Sequence, residues 1–381
     1  MKEKLPMPEG LKNLKTSMTI YKEKDYVVLD SEETKILKSD NANYIFNKEN
    51  GCMKTWGKTL KEDVEAFPAP TILDLEVTTI CNGTGGIFDS KDYGQEKICD
   101  FCYKGNNPKG KNMSFETFKK VFDKLPHSLT QVAFGADSKC QTNPDLWKMM
   151  KYANNCGIIP NITASQVDKE TAKEIAKYCG AAAISRYHEP DIFAESVKNL
   201  TDLGMEQINC HMMISEETFD RSMELIDQVV SDPRLEKLNA IVFLALKTKG
   251  RGVGFHPLSQ IKFNLLVERC KTNNINYGFD SCGSLKFFNS LSEGEYKEMG
   301  QYIQPCESTL ESSYINVDGD FFPCSFTEGT EGWETGLSVL NCENFVDNIW
   351  NNPRTVEFRN KLIETKKNNK FGCRNCPIYT I

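Results

Sequence analysis

Three cysteines, Cys81, Cys99 and Cys102, follow the apolar run of residues 71–80, and an aromatic residue, Tyr103, comes directly after the last. An odd set of three thiolates on one loop can hold three corners of a 4Fe-4S cluster and leave the fourth iron open to a small molecule, whereas a four-cysteine site is coordinatively closed. A second group lies near the end of the chain. Cys306 is followed after 12 residues by Gly319 and after four more by Cys324, and Cys373-Arg374-Asn375-Cys376 closes the pattern. The turn signal Asn316-Val317-Asp318-Gly319-Asp320 predicts a hairpin that brings Cys306 and Cys324 together. C-x2-C spacing serves zinc as well as iron-sulfur clusters, and the residues alone leave both open.

The 15 cysteines are an odd number, so at least one is unpaired in any arrangement. The start at residues 1–15 is polar and does not read as a signal peptide, so a cytoplasmic, reducing setting is expected, in which clustered thiols are expected to ligate metal. Cys52, Cys140, Cys156, Cys179, Cys210 and Cys270 stand alone and read as small apolar fillers. Lys and Arg number 46 against 53 Asp and Glu, a net charge of -7 that argues against bulk electrostatic binding of nucleic acid. No apolar run reaches the roughly 18 residues of a membrane span. Lys104, Lys109 and Lys111 form a basic loop beside the first cysteines, read either as a hold for an anionic substrate or as a solvated loop.

These groups need a scaffold. Between residues 71 and 272, β-rich runs at 71–79, 131–135, 158–163, 181–185, 206–214 and 239–246 alternate with helical stretches, the signature of βα units and a parallel sheet. Helices are expected to start near Ser114, Pro144, Asp168, Asp191, Glu217 and Leu258, with Ser114, Asn143, Asp168 and Glu216 as caps. Six units are too few to close an eight-stranded barrel, so the expected fold is α/β, an open (β/α)6 partial TIM barrel with working residues at the C-terminal strand ends. The predicted organisation is a strand-rich extension over 1–70, the barrel over 71–272, and a small cysteine-rich domain over 273–381. Strands in the extension are expected at 26–29, 35–37 and 43–56, the last split by a turn at 48–51. Cys282 follows a strand-like stretch at 275–279 and is expected near the barrel mouth. His211, on the fifth strand, reads as a packed, hydrogen-bonded histidine.

On these residues the chain resembles the radical S-adenosylmethionine (SAM) superfamily, whose motif is C-x3-C-x2-C after the first barrel strand. The second half, Cys99-Asp100-Phe101-Cys102-Tyr103, matches it, while the first gap holds 17 residues, 82–98, in place of three. Each doubling of a loop costs only about 0.6 kcal/mol in closure entropy, so a long insertion can still return the chain to a cluster. The resemblance implies a SAM-binding 4Fe-4S cluster on Cys81, Cys99 and Cys102. It implies SAM contacts from Tyr103, from Gly135 and Asp137 after the second strand, from Asn161 and Thr163 on the third, and from Ser185 and Arg186 after the fourth. The tail resembles the SPASM domain, or its shorter twitch form, since only five residues follow Cys376. That implies an auxiliary 4Fe-4S cluster on Cys306, Cys324, Cys373 and Cys376. The expected activity is reductive cleavage of SAM to a 5′-deoxyadenosyl radical that takes hydrogen from a substrate. The substrate is expected to be a peptide that is oxidised, cross-linked or epimerised, with small-molecule dehydrogenation as the alternative, and the electron to come from a flavodoxin or ferredoxin. Cys282 is the candidate catalytic thiol, returning a hydrogen atom to a substrate radical; a buried inert thiol, or a further cluster ligand with Cys342, are the other readings. A zinc or iron-sulfur binding protein without turnover is the alternative of another class.

Overall fold

The computed structural model describes residues 18–83, 87–90, 94–96, 99–187, 189–366 and 374–379, without the side chains of 87–90, 94–96 and Gln301. The chain divides into two compact units, Met1–Val64 and Glu65–Ile381. In the first, five short antiparallel strands pair in sequence order: β1 (Thr19–Lys22), β2 (Val27–Asp30), β3 (Thr34–Lys38), β4 (Asn43–Asn47) and β5 (Met53–Trp56). The turn between β4 and β5 falls where the sequence places it, with Gly51 at φ +72° and Asn47 Oδ1 accepting from the amides of Glu49 and Asn50. Strand β1 has no sequence signal, because an edge strand with an exposed or half-exposed face lacks the alternation that marks burial.

The second unit is a mixed α/β structure around one parallel array. Its strands are β6 (Ile72–Glu76), β9 (Gln131–Gly135), β10 (Ile159–Ala164), β11 (Ala181–Ser185), β12 (Ile208–Ile214), β13 (Ala240–Ala245) and β14 (Tyr277–Phe279), each parallel to the next. A small hairpin, β7 (Ile87–Ser90) with β8 (Gly94–Glu96), lies inside the insertion between Cys81 and Cys99. Helices α1 (Phe115–Phe122), α2 (Leu146–Asn155), α3 (Lys169–Tyr178), α4 (Pro190–Thr201), α5 (Phe219–Ser231) and α6 (Gln260–Thr272) connect the strands. Because each strand lies beside its predecessor in sequence order, right-handed crossovers put all six helices on one face. That is the winding of a β/α barrel and not of a doubly wound sheet, although among the described residues no pairing joins β14 back to the other edge.

The helix-covered face carries Val132, Phe134, Ile162, Ala182, Ile184, Cys210, Met212, Ile241 and Phe243, all nearly inaccessible. Strand alternation puts Asp74, Gly135, Asn161, Thr163, Ser185, His211 and Val242 on the opposite face. Helix starts behave as expected at two caps: Ser114 Oγ accepts from Thr117 N, and Asp168 Oδ1 from Thr171 N. At the other two the cap falls elsewhere, on Asp145 instead of Asn143 and on Thr218 instead of Glu216, whose carboxylate accepts from Ser259 N.

The tail is continuous with the parallel sheet. Strand β15 (Ser312–Ile315) pairs parallel with β6, making it an eighth parallel strand on the far side of the first one. It then forms an antiparallel hairpin with β16 (Asp320–Phe322), which pairs with β17 (Leu337–Ser338). The hairpin turn is the one the sequence signals: Gly319 sits at φ +83°, and Asn316 Oδ1 accepts from the amides of Asp318 and Asp320, each at 3.0 Å. A boundary at residue 273 therefore does not separate two compact units; one sheet runs from β14 to β17. Helices α7 (Ser284–Ser290), α8 (Glu293–Met299) and α9 (Pro353–Lys366) complete the unit. Residues 65–70 also belong here, through Phe67, which donates to Leu310 O at 2.7 Å and accepts from Trp350 Nε1 at 3.1 Å.

Candidate functional site

The first cysteine loop is built at the carboxyl end of β6. Bridges Thr78↔Asn112 and Ile80↔Asn107 prolong the strand, and Cys81 N donates to Asn107 O at 3.0 Å. Residues 105–112 fold back so closely that a Cβ on Gly110 would lie 2.3 Å from the Thr79 carbonyl carbon. Within the insertion β7 and β8 pair antiparallel. Arg251, after β13, then grips the loop: its Nε donates to Cys99 O at 2.7 Å, its Nη1 to Asn106 O at 3.1 Å and its amide to Cys102 O at 3.0 Å. Its neighbour Gly250, at φ +59°, lets the two backbones touch.

The three thiols share one electrostatic environment. Burial pushes Cys99 far above the ordinary thiol range, Cys102 and Cys81 add to the rise, and Arg251 opposes it. Cys81 is raised by burial first, against hydrogen bonds from the amides of Gly83 and Ser138. Three thiolates crowded in this way need positive charge among them, which iron supplies, so the donor set fits a three-cysteine cluster site.

The second set comes together around the β15–β16 hairpin. Burial and Cys324 raise the Cys306 thiol, while Cys324 itself is pushed up to about 11 by burial and Cys376, against the amides of Phe326 and Thr327. Arg374 Nε donates to Cys306 O at 2.8 Å, and Tyr379 N to Cys376 Sγ at 3.3 Å. Cys373 lies outside the described residues. Cys342 is not part of this group: it is buried behind the hairpin, its thiol donating to Val339 O at 3.2 Å, with Lys124 as the charge that acts on it. Among the described residues no three His, Cys, Asp or Glu side chains converge as a single ion requires.

Beside the second set stand Lys247 and Cys282. Lys247, buried after β13, is paired with Asp280 at 2.5 Å and rests over the Phe326 ring at 4.5 Å. Burial works against its charge, but Asp280 and a hydrogen bond to the Cys282 sulfur outweigh it and hold the amine above its ordinary range. Asp280 also accepts from the amides of Ala245 and Gly283. The Cys282 thiol is raised by burial, opposed by Lys247, and feels both Cys306 and Cys324. His211 is pushed down to about 4 by burial, against the charge of Asp280, so it is neutral at ordinary pH. Burial raises Asp74 to about 6 and Glu307 to about 8; Glu311, Asp74 and Asp280 add to the rise at Glu307, with Arg374 opposing it.

The side chains expected to contact SAM are divided. Gly135 is exposed at the carboxyl end of β9, where a Cβ would meet Glu76 only at ordinary contact distance, 3.4 Å. Thr163 is exposed on the uncovered face, and Ser185 lies on the same face beside Tyr187, whose hydroxyl it hydrogen-bonds. Four others are engaged elsewhere. Tyr103 turns toward the tail, donating to Ser325 Oγ at 3.0 Å with its ring 4.3 Å from that of Phe326. Asp137 organises its own loop, accepting from the amides of Lys139, Gln141 and Thr142 and from Thr142 Oγ1. Asn161 bridges the amino-terminal ends of neighbouring strands, bonding Gln131 Oε1 and Ala181 N. Arg186 follows Ser185 and so points to the other face, where Nε donates to Gln228 of α5 at 3.1 Å.

In the basic loop two of the three lysines face carboxylates. Lys104 is half-buried against Glu76 and Glu328, and Lys111 pairs with Asp318 at 2.6 Å. Cys52 and Cys156 are exposed and not fillers, whereas Cys140, Cys210 and Cys270 are buried. Sequence reading missed Phe101, which packs on Tyr187, Phe255, Met213 and Leu246 above β11–β13. Its signal is its position between the two cysteines of C-x2-C. Lys247 and Arg251 carry no sequence signal, since only the fold brings them to the cysteines.

Comparison with known proteins adds one domain. The family model of SPASM, an iron-sulfur cluster-binding domain, matches residues 306–377. No curated protein matches the chain. Among solved structures, the HpcH/HpaI aldolase from Desulfitobacterium hafniense DCB-2 aligns over 65% of this chain and 87% of its own at 9% identity, with a TM-score of 0.32. Among the described residues no helix is long and apolar enough to cross a membrane.

Proposed function

We propose that the chain is a radical SAM enzyme acting on a peptide. The observation that carries this reading is the position of Cys81, Cys99 and Cys102 on the loop that follows the first strand of a sequentially wound parallel sheet, where Cys81 and Cys102 both act on the Cys99 thiol, in a chain whose tail matches SPASM. SPASM is typical of radical SAM peptide maturases. With a 4Fe-4S cluster and SAM bound, the site supplies one electron to cleave SAM and so a 5′-deoxyadenosyl radical that removes hydrogen from the substrate.

The residues of this chain hold and shield that chemistry. Cys81, Cys99 and Cys102 would hold the cluster, which would supply the electron that cleaves SAM. The missing side chain at Gly135 leaves the strand end open to the methionine group, and Thr163 and Ser185 offer hydroxyls on the same face. Phe101, between Cys99 and Cys102, packs on Tyr187 and Phe255 and so gives that part of the loop an apolar support. Cys306, Cys324, Cys373 and Cys376 hold the auxiliary cluster. Cys282, which feels Cys306 and Cys324, returns a hydrogen atom to the substrate radical from its neutral thiol, a state its burial favours. The electron comes from a flavodoxin or ferredoxin.

Anaerobic iron and sulfide analysis tests this assignment. About eight irons per chain, falling to about four in the Cys81, Cys99 and Cys102 triple alanine variant, is the expected result; zinc on the second set would remove the auxiliary cluster, and no iron would overturn the reading. For Cys282, unchanged turnover and product stereochemistry in Cys282→Ala would end its catalytic role.

A further inference from the structure

The loop at residues 99–104 makes few strong bonds with itself. Its internal backbone contacts, Cys102 N to Cys99 O and Gly105 N to Cys102 O, are 3.4 and 3.3 Å, at the weak end of the range. Its shape is imposed from outside, and one of the two sources is the loop that carries Cys324. Tyr103, next to Cys102, bonds Ser325, next to Cys324, and stacks on Phe326. Lys104 is held by Glu328 and by Tyr314, whose hydroxyl is 2.5 Å from its Nζ. The receiving loop is fixed in turn: Thr327 Oγ1 donates to Cys324 O at 2.7 Å, and Phe326 O accepts from Lys249 Nζ and Tyr379 OH at 3.2 and 3.1 Å.

We infer that the Cys324 loop is a clasp that positions the Cys102 loop, so that filling the second cysteine set orders the first. Tyr103 and Lys104 are its positioning residues. A metal cluster on Cys306, Cys324 and Cys376 removes the freedom of residues 324–328, and these side chains pass that restraint to residues 99–104. Coupling of this kind is reciprocal, and its usual size is about 5- to 150-fold in affinity. The inference rests on the second set binding a cluster and not on the radical reaction.

Hydrogen exchange tests it in the Cys81, Cys99 and Cys102 triple alanine background, where only the second set can load. Reconstitution with iron and sulfide is expected to slow the amides of residues 99–105 by about fivefold or more, while those of α3 stay unchanged. Adding Tyr103→Phe with Ser325→Ala, which keeps the ring contact, is expected to remove part of that slowing, and Tyr103→Leu most of it. If Tyr103→Leu also speeds exchange in α3, the milder pair decides. Equal exchange with and without iron, a slowing untouched by the milder pair, or failure of the second set to take iron would overturn the inference. Slowing there, together with no 5′-deoxyadenosine from the fully iron-loaded native chain, would retain the clasp while removing the proposed function.

Discussion

Gly250→Ala puts the grip on the first cysteine loop to a quantitative test. The added Cβ would stand 2.4 Å from Tyr103 O and 2.7 Å from Cys102 O, and both obstacles are backbone that cannot swing away. The left-handed backbone, at φ +59°, costs an alanine about 1–2 kcal/mol, and forcing the overlap apart about 1–3 kcal/mol more. The sum is about 2–5 kcal/mol. Gly204 supplies the control in the same compact unit, being also left-handed at φ +85° but with nothing within 4 Å of a Cβ. Its alanine variant pays only the backbone part, about 1–2 kcal/mol. At about 2–4 °C per kcal/mol, thermal unfolding by circular dichroism should separate the two variants by several degrees. Iron analysis should show Gly250→Ala losing iron from the first set and keeping the second. Equal melting temperatures with full iron in both variants would refute the argument that these backbones are in forced contact.

Four further outcomes follow from particular contacts. Lys104→Met leaves Glu76 buried without its cation and should destabilise by about 2–4 kcal/mol in urea titration, whereas Lys111→Met, from an exposed pair, should cost under about 1 kcal/mol. Cys342→Ala should leave iron per chain unchanged, because its thiol faces Val339 and not the second set. His211, with its pKa lowered to about 4, binds a proton more readily unfolded, so its contribution to stability is full above pH 6.5 and is lost as pH falls from 6.5 toward 4. The loss is on the order of 3 kcal/mol, and His211→Gln should flatten the stability profile across that window.

Much of the scaffold was legible because its signals are local. Six strand runs, the caps at Ser114 and Asp168 and the turn at Gly319 depend on neighbours in sequence, and each stands where its pattern puts it. Strand β15 was not legible as a parallel strand, since its partner β6 lies some 240 residues away and nothing in its own short, fully buried run declares a direction. The same limit applies to the site. The cysteines announce themselves by type and spacing, but Tyr103, equally conspicuous, turns to Ser325 because of where the tail hairpin lies. Arg186 could have been read more closely: strand alternation alone puts it opposite Ser185. Lys247 and Arg251 reach the cysteines only through the fold, and no spacing rule connects them.

The most direct measurement of the central claim is 5′-deoxyadenosine formation. Anaerobically reconstituted protein would be given SAM and dithionite without any substrate, beside the Cys81, Cys99 and Cys102 triple alanine variant and Cys324→Ala. The account predicts 5′-deoxyadenosine from the native chain, none from the triple variant, and a reduced amount from Cys324→Ala, whose first set remains intact. No 5′-deoxyadenosine from a native chain that carries its full iron, or the same amount from the triple variant, would contradict it.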